Sequence, residues 1–402
     1  MKPDGWKIAD LRACVAEIRS GKSVNSIDEP ATDGELGILK TSCVYNGRFD
    51  VTENKAIVPS ERHLAKCPVT ADTIVVSRMN TADLVGASGF VEKDFPHIFL
   101  PDRLWAVVPH RDIDPRWLYY VVSSPEVKRR LSENASGTSA SMKNISQDVF
   151  LGMPARIPPL PEQGKIAEIL RTWDEALEKL TALRAAKERR LAALRAALLF
   201  GRLRQKGLRH NWAPTRLEAV THELTKRNGA KGLGRDSVMG VTKAEGVVPM
   251  REQTIAADIS RYKRLPPRAF AYNPMRINVG SIAMNERDEE VLVSPDYVVF
   301  ACNADGLDPD YLDHLRKTSW WAHYINSGGS GSVRQRTYYD DLAALKLPLP
   351  ELDEQKAIAA VLNTARDDLV ATEREIEAVT RQKRGLMQKL LTGEWRGAGE
   401  DS

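Results

Sequence analysis

Apolar residues recur with a seven-residue period in two long stretches of the chain, residues 162–204 and 354–396. The stretches align at a constant offset of 192 without a gap, and 14 of the 43 aligned pairs are identical, against about three expected from ordinary residue frequencies. The first seam runs Leu170, Trp173, Leu177, Leu180, Leu191, Leu194 and Leu198, with Arg184 and Lys187 interrupting it. The second runs Leu362, Ala365, Leu369, Thr372, Ile376, Val379, Lys383, Leu386 and Leu390. Each follows a Pro-Leu-Pro stop (Pro159–Pro161, Pro348–Pro350) and a Glu-Gln pair, and each closes near a glycine, Gly201 or Gly393. Proline blocks an earlier helical turn and glycine suits a helix end. The pattern therefore predicts two long helices whose narrow seams pack on each other as a coiled coil; packing of each helix on its own domain is the alternative.

The segments ahead of the helices repeat more faintly. Trp6 and Leu11 correspond to Trp212 and Leu217, and a strand and turn around Thr41 corresponds to one around Thr242. Ser77-Arg78-Met79-Asn80 corresponds to Met275-Arg276-Ile277-Asn278, Leu100-Pro101-Asp102 to Ser294-Pro295-Asp296, and Asp114-Pro115 to Asp308-Pro309. Gly137 to Asp148 corresponds to Gly329 to Asp340 at the helix offset. Short β-branched runs such as Thr73–Val76 and Val291–Val293, bounded by Gly and Pro turns, predict mixed α and β domains. The expected fold is α+β: a domain over 1–157, a first spacer helix over 158–206, a second domain over 207–347, and a second spacer helix with a short tail over 348–402. The two matched halves give the chain a pseudo-twofold internal repeat.

Composition adds little until it is resolved along the chain. The 402 residues are 42% hydrophobic and 28% charged, those of an ordinary globular protein, with a net charge of +4. There is no long apolar run to cross a membrane and no secretory signal at the N-terminus, so a cytoplasmic protein is expected. The four scattered cysteines form no CxxC pair, so a reduced, metal-free chain is expected.

The charge is concentrated. Residues 202–235 hold nine Lys or Arg against two Glu, and 261–276 hold five basic residues and no acidic one, with Tyr262 and Tyr272 interleaved. Lys128-Arg129-Arg130 and Arg334/Arg336 are smaller clusters. Such clusters suit phosphate neutralisation, or are solvated faces. Arg pairs with guanine and Asn with adenine, so Arg78, Asn80, Arg276 and Asn278 are candidates for base readout; alternatively the asparagines form turns. Ser136–Ser139 and Ser327–Ser332 read as phosphate-gripping loops or as plain flexible turns. The candidate DNA-binding residues are Lys40, Thr41, Arg78, Asn80, Lys143, Thr242, Lys243, Arg261, Lys263, Arg276, Asn278, Arg334 and Arg336.

Catalytic motifs fail on inspection. Gly21-Lys22-Ser23 lacks the earlier glycine of a phosphate loop, since Ala16 stands there. Asn273-Pro274 is followed by Met275 and Arg276 instead of the Pro and aromatic of an amino-methyltransferase motif. Asp102 with Glu126 and Lys128 could be drawn as a nuclease triad, but only Pro101-Asp102 recurs in the repeat. The seven histidines show no ligand spacing. No active site and no metal site are expected.

With the Trp openings, the Glu-Gln helix starts, the Arg-x-Asn segments and Gly-Ser-Gly-Ser-Val-Arg-Gln-Arg at 329–336, the chain resembles the DNA-specificity (S) subunit of type I restriction-modification systems, HsdS-like, over essentially its whole length. The resemblance implies a non-catalytic, sequence-specific DNA-binding subunit in which each domain reads one half of a bipartite target and the two helices, running antiparallel, set the gap. It implies double-stranded DNA, two methyltransferase subunits and restriction endonuclease subunits as partners, and no membrane. The methyltransferases would dock on the helical spacer, whose candidate residues are Leu170, Leu177, Leu194, Leu369, Ile376 and Leu386. No cofactor is expected in this chain; S-adenosylmethionine, ATP and Mg belong to the partner subunits. A protein–protein scaffold with incidental basic patches and an autonomous nuclease are the rivals.

Overall fold

The computed structural model describes residues 5–45, 47–139, 142–204, 212–327 and 336–395. Both long helices form where the seven-residue period places them, Leu160–Leu198 and Leu352–Thr392. Just past their ends Gly201 and Gly393 take φ of +67° and +76°, the left-handed conformation in which a residue with a Cβ is strained. The chain divides into two compact units, one formed by residues up to Leu180 together with those from Glu375 onward, the other by Thr181–Arg374. The division falls inside both helices, so neither helix is a segment apart.

The unit of the first domain is built on a four-stranded antiparallel sheet in the order Ser88–Val91, Thr73–Ser77, Leu104–Pro109, Val15–Ser20. A five-stranded sheet that includes Gly37–Leu39 and Phe95–Phe99 lies beside it in sequence. The β-branched run at 73–76 is fully buried. The core gathers Trp6, Trp105, Trp117, Tyr120 and Phe150 with Ile166, Ala167 and Leu170 of the first long helix and Met387 and Leu390 of the second.

The unit of the second domain repeats that sheet, in the order Ile282–Met284, Phe270–Tyr272, Val298–Cys302, Thr221–Glu223. Its core joins Phe270, Tyr272, Phe300 and Tyr311 to Ile358, Ala359 and Leu362 from the start of the second long helix and Leu191 and Leu198 from the end of the first. Both packing modes allowed by the sequence therefore operate at once: each helix start serves the domain before it, and the end of the other helix closes the same core.

The polar interruptions of the seam are paired within the units. In the first, the Lys383 ammonium donates to Asp174, which also accepts from the Tyr120 hydroxyl at 2.7 Å. In the second, the Lys187 ammonium donates to Asp368 Oδ1 at 2.7 Å and to the buried Thr372 hydroxyl at 2.8 Å. These contacts place the helices antiparallel in each unit.

The repeated motifs meet at the helix starts. Trp6 donates from its indole N–H to Glu162 at 3.1 Å, and Trp212 does the same to Glu354 at 3.1 Å. Gln163, 1% exposed, accepts the backbone N–H of Asp114 at 2.8 Å and donates to the carbonyl of Pro158 at 2.9 Å. Gln355, also 1% exposed, accepts from Asp308 at 2.8 Å and donates to Pro350 at 2.9 Å. Asp114 and Asp308 in turn cap the helices Pro115–Ser123 and Pro309–Leu315 by accepting from Trp117 and Tyr311 N–H. A short antiparallel pair then ties each domain's first strand to its last: Lys7–Asp10 to Pro154–Ile157, and Ala213–Arg216 to Lys346–Leu349. Among the described residues no helix is long and apolar enough to cross a membrane.

Two expectations follow. Gln163→Leu and Gln355→Leu each strand a buried backbone N–H and a carbonyl, so each should lower the unfolding free energy by about 1–3 kcal/mol in urea titrations; an unchanged midpoint would contradict the clamp. His314 is fully buried, accepts from Arg195 Nε at 3.3 Å and faces Asn363 Oδ1 at 2.9 Å, and burial pulls its pKa down to about 4. Its folded pKa lies below the unfolded value, so its contribution is complete above about pH 6.5 and is lost as pH falls toward 4, up to about 3 kcal/mol. The stability–pH slope between 6.5 and 4 should flatten in His314→Phe.

Candidate nucleic-acid interface

In the second domain several candidates gather around one turn. The strand Phe270–Tyr272 leads into Asn273, whose side-chain oxygen accepts the N–H of Met275 at 2.9 Å while its carbonyl accepts that of Arg276 at 2.9 Å. One 3-10 turn, Ile277–Val279, follows and ends at Gly280 with φ +93°. The Arg276 carbonyl accepts from both Val279 and Ser281 N–H, at 3.2 and 3.1 Å, and Ile277 is buried beneath. This fixed backbone presents Met275, Arg276, Asn278 and Val279 outward. Met275 and Val279 are 49% and 52% exposed, and the Arg276 and Asn278 side chains, both exposed, make no hydrogen bond or ion pair among the described residues.

Grooves lie to either side. One, of about 790 Å³, is lined by Thr242, Lys243, Asn278, Val279, Arg287 and Lys317 among others. Thr242 ends the strand Met239–Thr242 and its hydroxyl accepts from Glu245 N–H at 3.0 Å, while the Lys243 stem lies over Gly280 so closely that a Cβ there would come within 3.0 Å of it. The other, of about 610 Å³, is lined by Met275, Lys263, Arg336 and Tyr338 together with Glu223 and Asp296. Lys263 lies 3.9 Å from Glu223, and burial holds its pKa below the usual lysine range despite that carboxylate. Arg336 is exposed and donates to the Tyr338 hydroxyl at 3.4 Å. Arg261 is exposed and lines neither groove. Arg334 lies outside the described residues, as do residues 328–333 of the Gly-Ser stretch.

The first domain engages Lys40, Asn80 and Lys143 in internal bonds, whereas the Thr41 and Arg78 side chains make no hydrogen bond or ion pair among the described residues, and Arg78 Nε is buried without a partner. Lys40 pairs with Glu53 at 3.0 Å, and Thr41 opens the 3-10 turn Thr41–Cys43. Asn80 and Lys143 face each other across the strands Met79–Asn80 and Met142–Asn144. The Asn80 side chain accepts from Thr81 N–H at 2.9 Å and donates to Ser77 at 3.2 Å, so here the asparagine forms a turn. Lys143 donates to the Gly137 carbonyl at 2.9 Å. Arg78 is half-buried with its guanidinium 5.9 Å from the Trp105 ring centroid.

Several expectations need correction. Arg78 and Arg276 do not occupy equivalent places. Ser88 pairs with Val76 and Ile282 with Tyr272, and Ile145 N–H donates to the Arg78 carbonyl as Thr337 N–H, 192 residues on, donates to that of Pro274. Arg78 therefore corresponds to Pro274, two residues before Arg276. Ser136–Ser139 is a strand of a hairpin with Met142–Asn144 and not a loop. Part of each basic tract is paired within the fold: Arg204 binds Glu354, Arg235 binds Glu252, Arg264 binds Glu290 and Arg268 binds Asp310, at 2.8–2.9 Å. Of the five basic residues in 261–276, Arg261 and Arg276 alone have no ion pair among the described residues. In the proposed docking seam, Leu170 is fully buried and Leu194, Leu369 and Leu386 pack on the cores, while Leu177 and Ile376 are half-buried. Leu170 is thus closed to a partner.

Sequence reasoning overlooked Met275, Val279, Arg287 and Tyr338. Exposure of an apolar side chain leaves no mark in a short irregular segment, although two apolar residues bracketing Arg276 and Asn278 were there to be noticed. Elsewhere, Asp102 accepts from Ser23 and Glu126 pairs with Arg130 at 2.9 Å, so each acid of the supposed nuclease triad has its own partner. Among the described residues no group of His, Cys, Asp and Glu is placed to hold a metal ion. The four cysteines are free, and burial pushes the Cys14 and Cys302 thiols up to about 12.

Residues 3–187 match the family model of the type I restriction modification DNA specificity domain. Over 98% of its length the chain is 23% identical to 94% of a putative type I restriction enzyme specificity subunit, MjaX, of Methanocaldococcus jannaschii. It is 22% identical, again over 98% of its length, to 89% of the StySPI specificity subunit of Salmonella potsdam. The fold is that of the S subunit of a type I restriction-modification system from M. genitalium, with a TM-score of 0.60 over 97% of this chain and 98% of that one at 14% identity. The first repeat thus matches the type I restriction modification DNA specificity domain. The chain as a whole is similar in sequence to type I specificity subunits and shares the fold of one.

The non-equivalence of the two arginines is measurable. Arg78→Ala should lower thermal stability through the lost contact with Trp105, by about 0.5–1 kcal/mol, whereas Arg276→Ala should leave the melting temperature unchanged. Equal losses would restore their equivalence.

Proposed function

We propose that this chain is a non-catalytic specificity subunit that lends DNA sequence recognition to partner enzymes, each domain reading one half of a bipartite duplex target. The observation that carries this is the fixed turn Asn273–Gly280, which presents an unpaired guanidinium and an unpaired carboxamide, both able to read base edges, beside grooves bearing Lys243, Arg287 and Arg336. Backbone rigidity with unsatisfied polar tips suits a surface that waits for a partner.

Arg276 and Asn278 would read bases, and Lys243, Lys263 and Arg336 would meet phosphates. Thr242, which lines the first groove, is assigned to the same surface, and Arg261 and Arg334 are kept as candidates on charge alone. In the first domain Lys40, Asn80 and Lys143 would need to exchange internal bonds for contacts with DNA, whereas Thr41 and Arg78 have no such bond to give up, so that domain is expected to bind with rearrangement at three of its five candidates. Methyltransferase subunits, two of them, would dock on outward positions of the helices and carry S-adenosylmethionine. Endonuclease subunits would bring ATP and Mg²⁺. The assembly would work in the cytoplasm.

Fluorescence anisotropy with the full chain and random duplexes should show affinity falling steeply with salt. Arg336→Ala should weaken binding to all sequences and reduce the salt slope by about one, whereas Arg276→Ala should relax preference at one half-site. Salt-independent binding, or none, would favour a scaffold that does not bind DNA.

A further inference from the structure

Met275 and Val279 stand out among the exposed apolar side chains because a rigid backbone holds them there. Pro274 and Ile277 are buried beneath them, Pro274 also accepts the N–H of Thr337 at 3.1 Å, and the Asn273 side chain locks the start of the turn. The turn alternates chemistry along its exposed edge: thioether, guanidinium, carboxamide, isopropyl. Cations border it on one side, where Lys243, Arg287, Arg316 and Lys317 outnumber Glu245 and Glu286; in the other groove Lys263 and Arg336 stand among Glu223, Asp296 and Asp340. An apolar pair with a cationic groove along one side suits a polyanion that carries apolar groups better than it suits another apolar protein surface.

In duplex DNA the apolar group on the base edges of the major groove is the 5-methyl of thymine. Resting on the reading of this surface as a DNA interface, we propose that Met275 and Val279 are specificity-determining residues that take thymine methyl groups, so that the half-site read by the second domain contains A·T pairs next to the base read by Arg276. Asn278 lies between the arginine and Val279 and supplies a donor and an acceptor of the kind that pairs with adenine on its major-groove edge. One short turn would then read both faces of the code, hydrogen bonds through its polar pair and methyls through its apolar pair.

The test uses the full chain. Duplexes are selected from a random pool, and thymidine is then replaced by deoxyuridine in one half-site at a time, which removes methyl groups and leaves every hydrogen-bonding group in place. Wild type should lose about 3- to 5-fold in affinity per contacted methyl, in one half-site only. Met275→Gln with Val279→Thr keeps the size of both side chains, and because both are exposed the melting temperature should not move; this variant should bind the thymidine and deoxyuridine duplexes alike. A selected half-site without thymine, wild-type binding blind to the methyls, or a loss that persists undiminished in the variant each overturns the inference. Failure of every duplex to bind in a salt-dependent way is a different result, and it overturns the DNA reading together with what rests on it.

Discussion

A buried glutamine at the first turn of each long helix holds the architecture together. Gln163 and Gln355 each satisfy one backbone N–H at an Asp-Pro helix cap and one carbonyl of the proline stop. Backbone groups this deep have no water to fall back on, so a lost partner costs the full desolvation of the group. The adjacent glutamate anchors the tryptophan that opens the domain. Domain start, domain helix and spacer helix are thereby tied at one point, and the sheet order repeats in both units around it.

Much of this was legible beforehand, because the repeat wrote it twice. The helices, their proline starts and their glycine ends came from periodicity and punctuation alone. The link between Trp, Glu-Gln and Asp-Pro was visible only as matched positions; that they converge in space needed coordinates, since nothing in a one-dimensional match distinguishes a contact from a coincidence. Strands such as Thr73–Ser77 were marked by β-branched runs, while pieces as short as Met79–Asn80 carry no pattern.

The interface was less legible, for a physical reason. A sequence counts charges but does not say which are already neutralised. The tract from Arg261 to Arg276 contains no acid, yet Glu223, Glu290 and Asp310 reach three of its members from elsewhere in the fold. Register was the second obstacle: a motif shared by Arg78 and Arg276 aligned by eye, and strand pairing separates them by two residues. Each domain consequently holds some candidates in internal bonds, Lys40, Asn80 and Lys143 in one and Thr242 and Lys263 in the other, and Arg276 and Asn278 stand in the open.

The clamp and the exposed turn share no residue. Trp212, Glu354, Gln355 and Asp308 sit at the helix start, whereas Met275, Arg276, Asn278 and Val279 spend their side chains on no internal bond of the frame. Mutational drift along that edge is therefore almost free in folding terms, while drift in the frame is purged. A lineage can explore new reading surfaces without passing through unfolded intermediates, and selection can act on what is read independently of whether the protein stands.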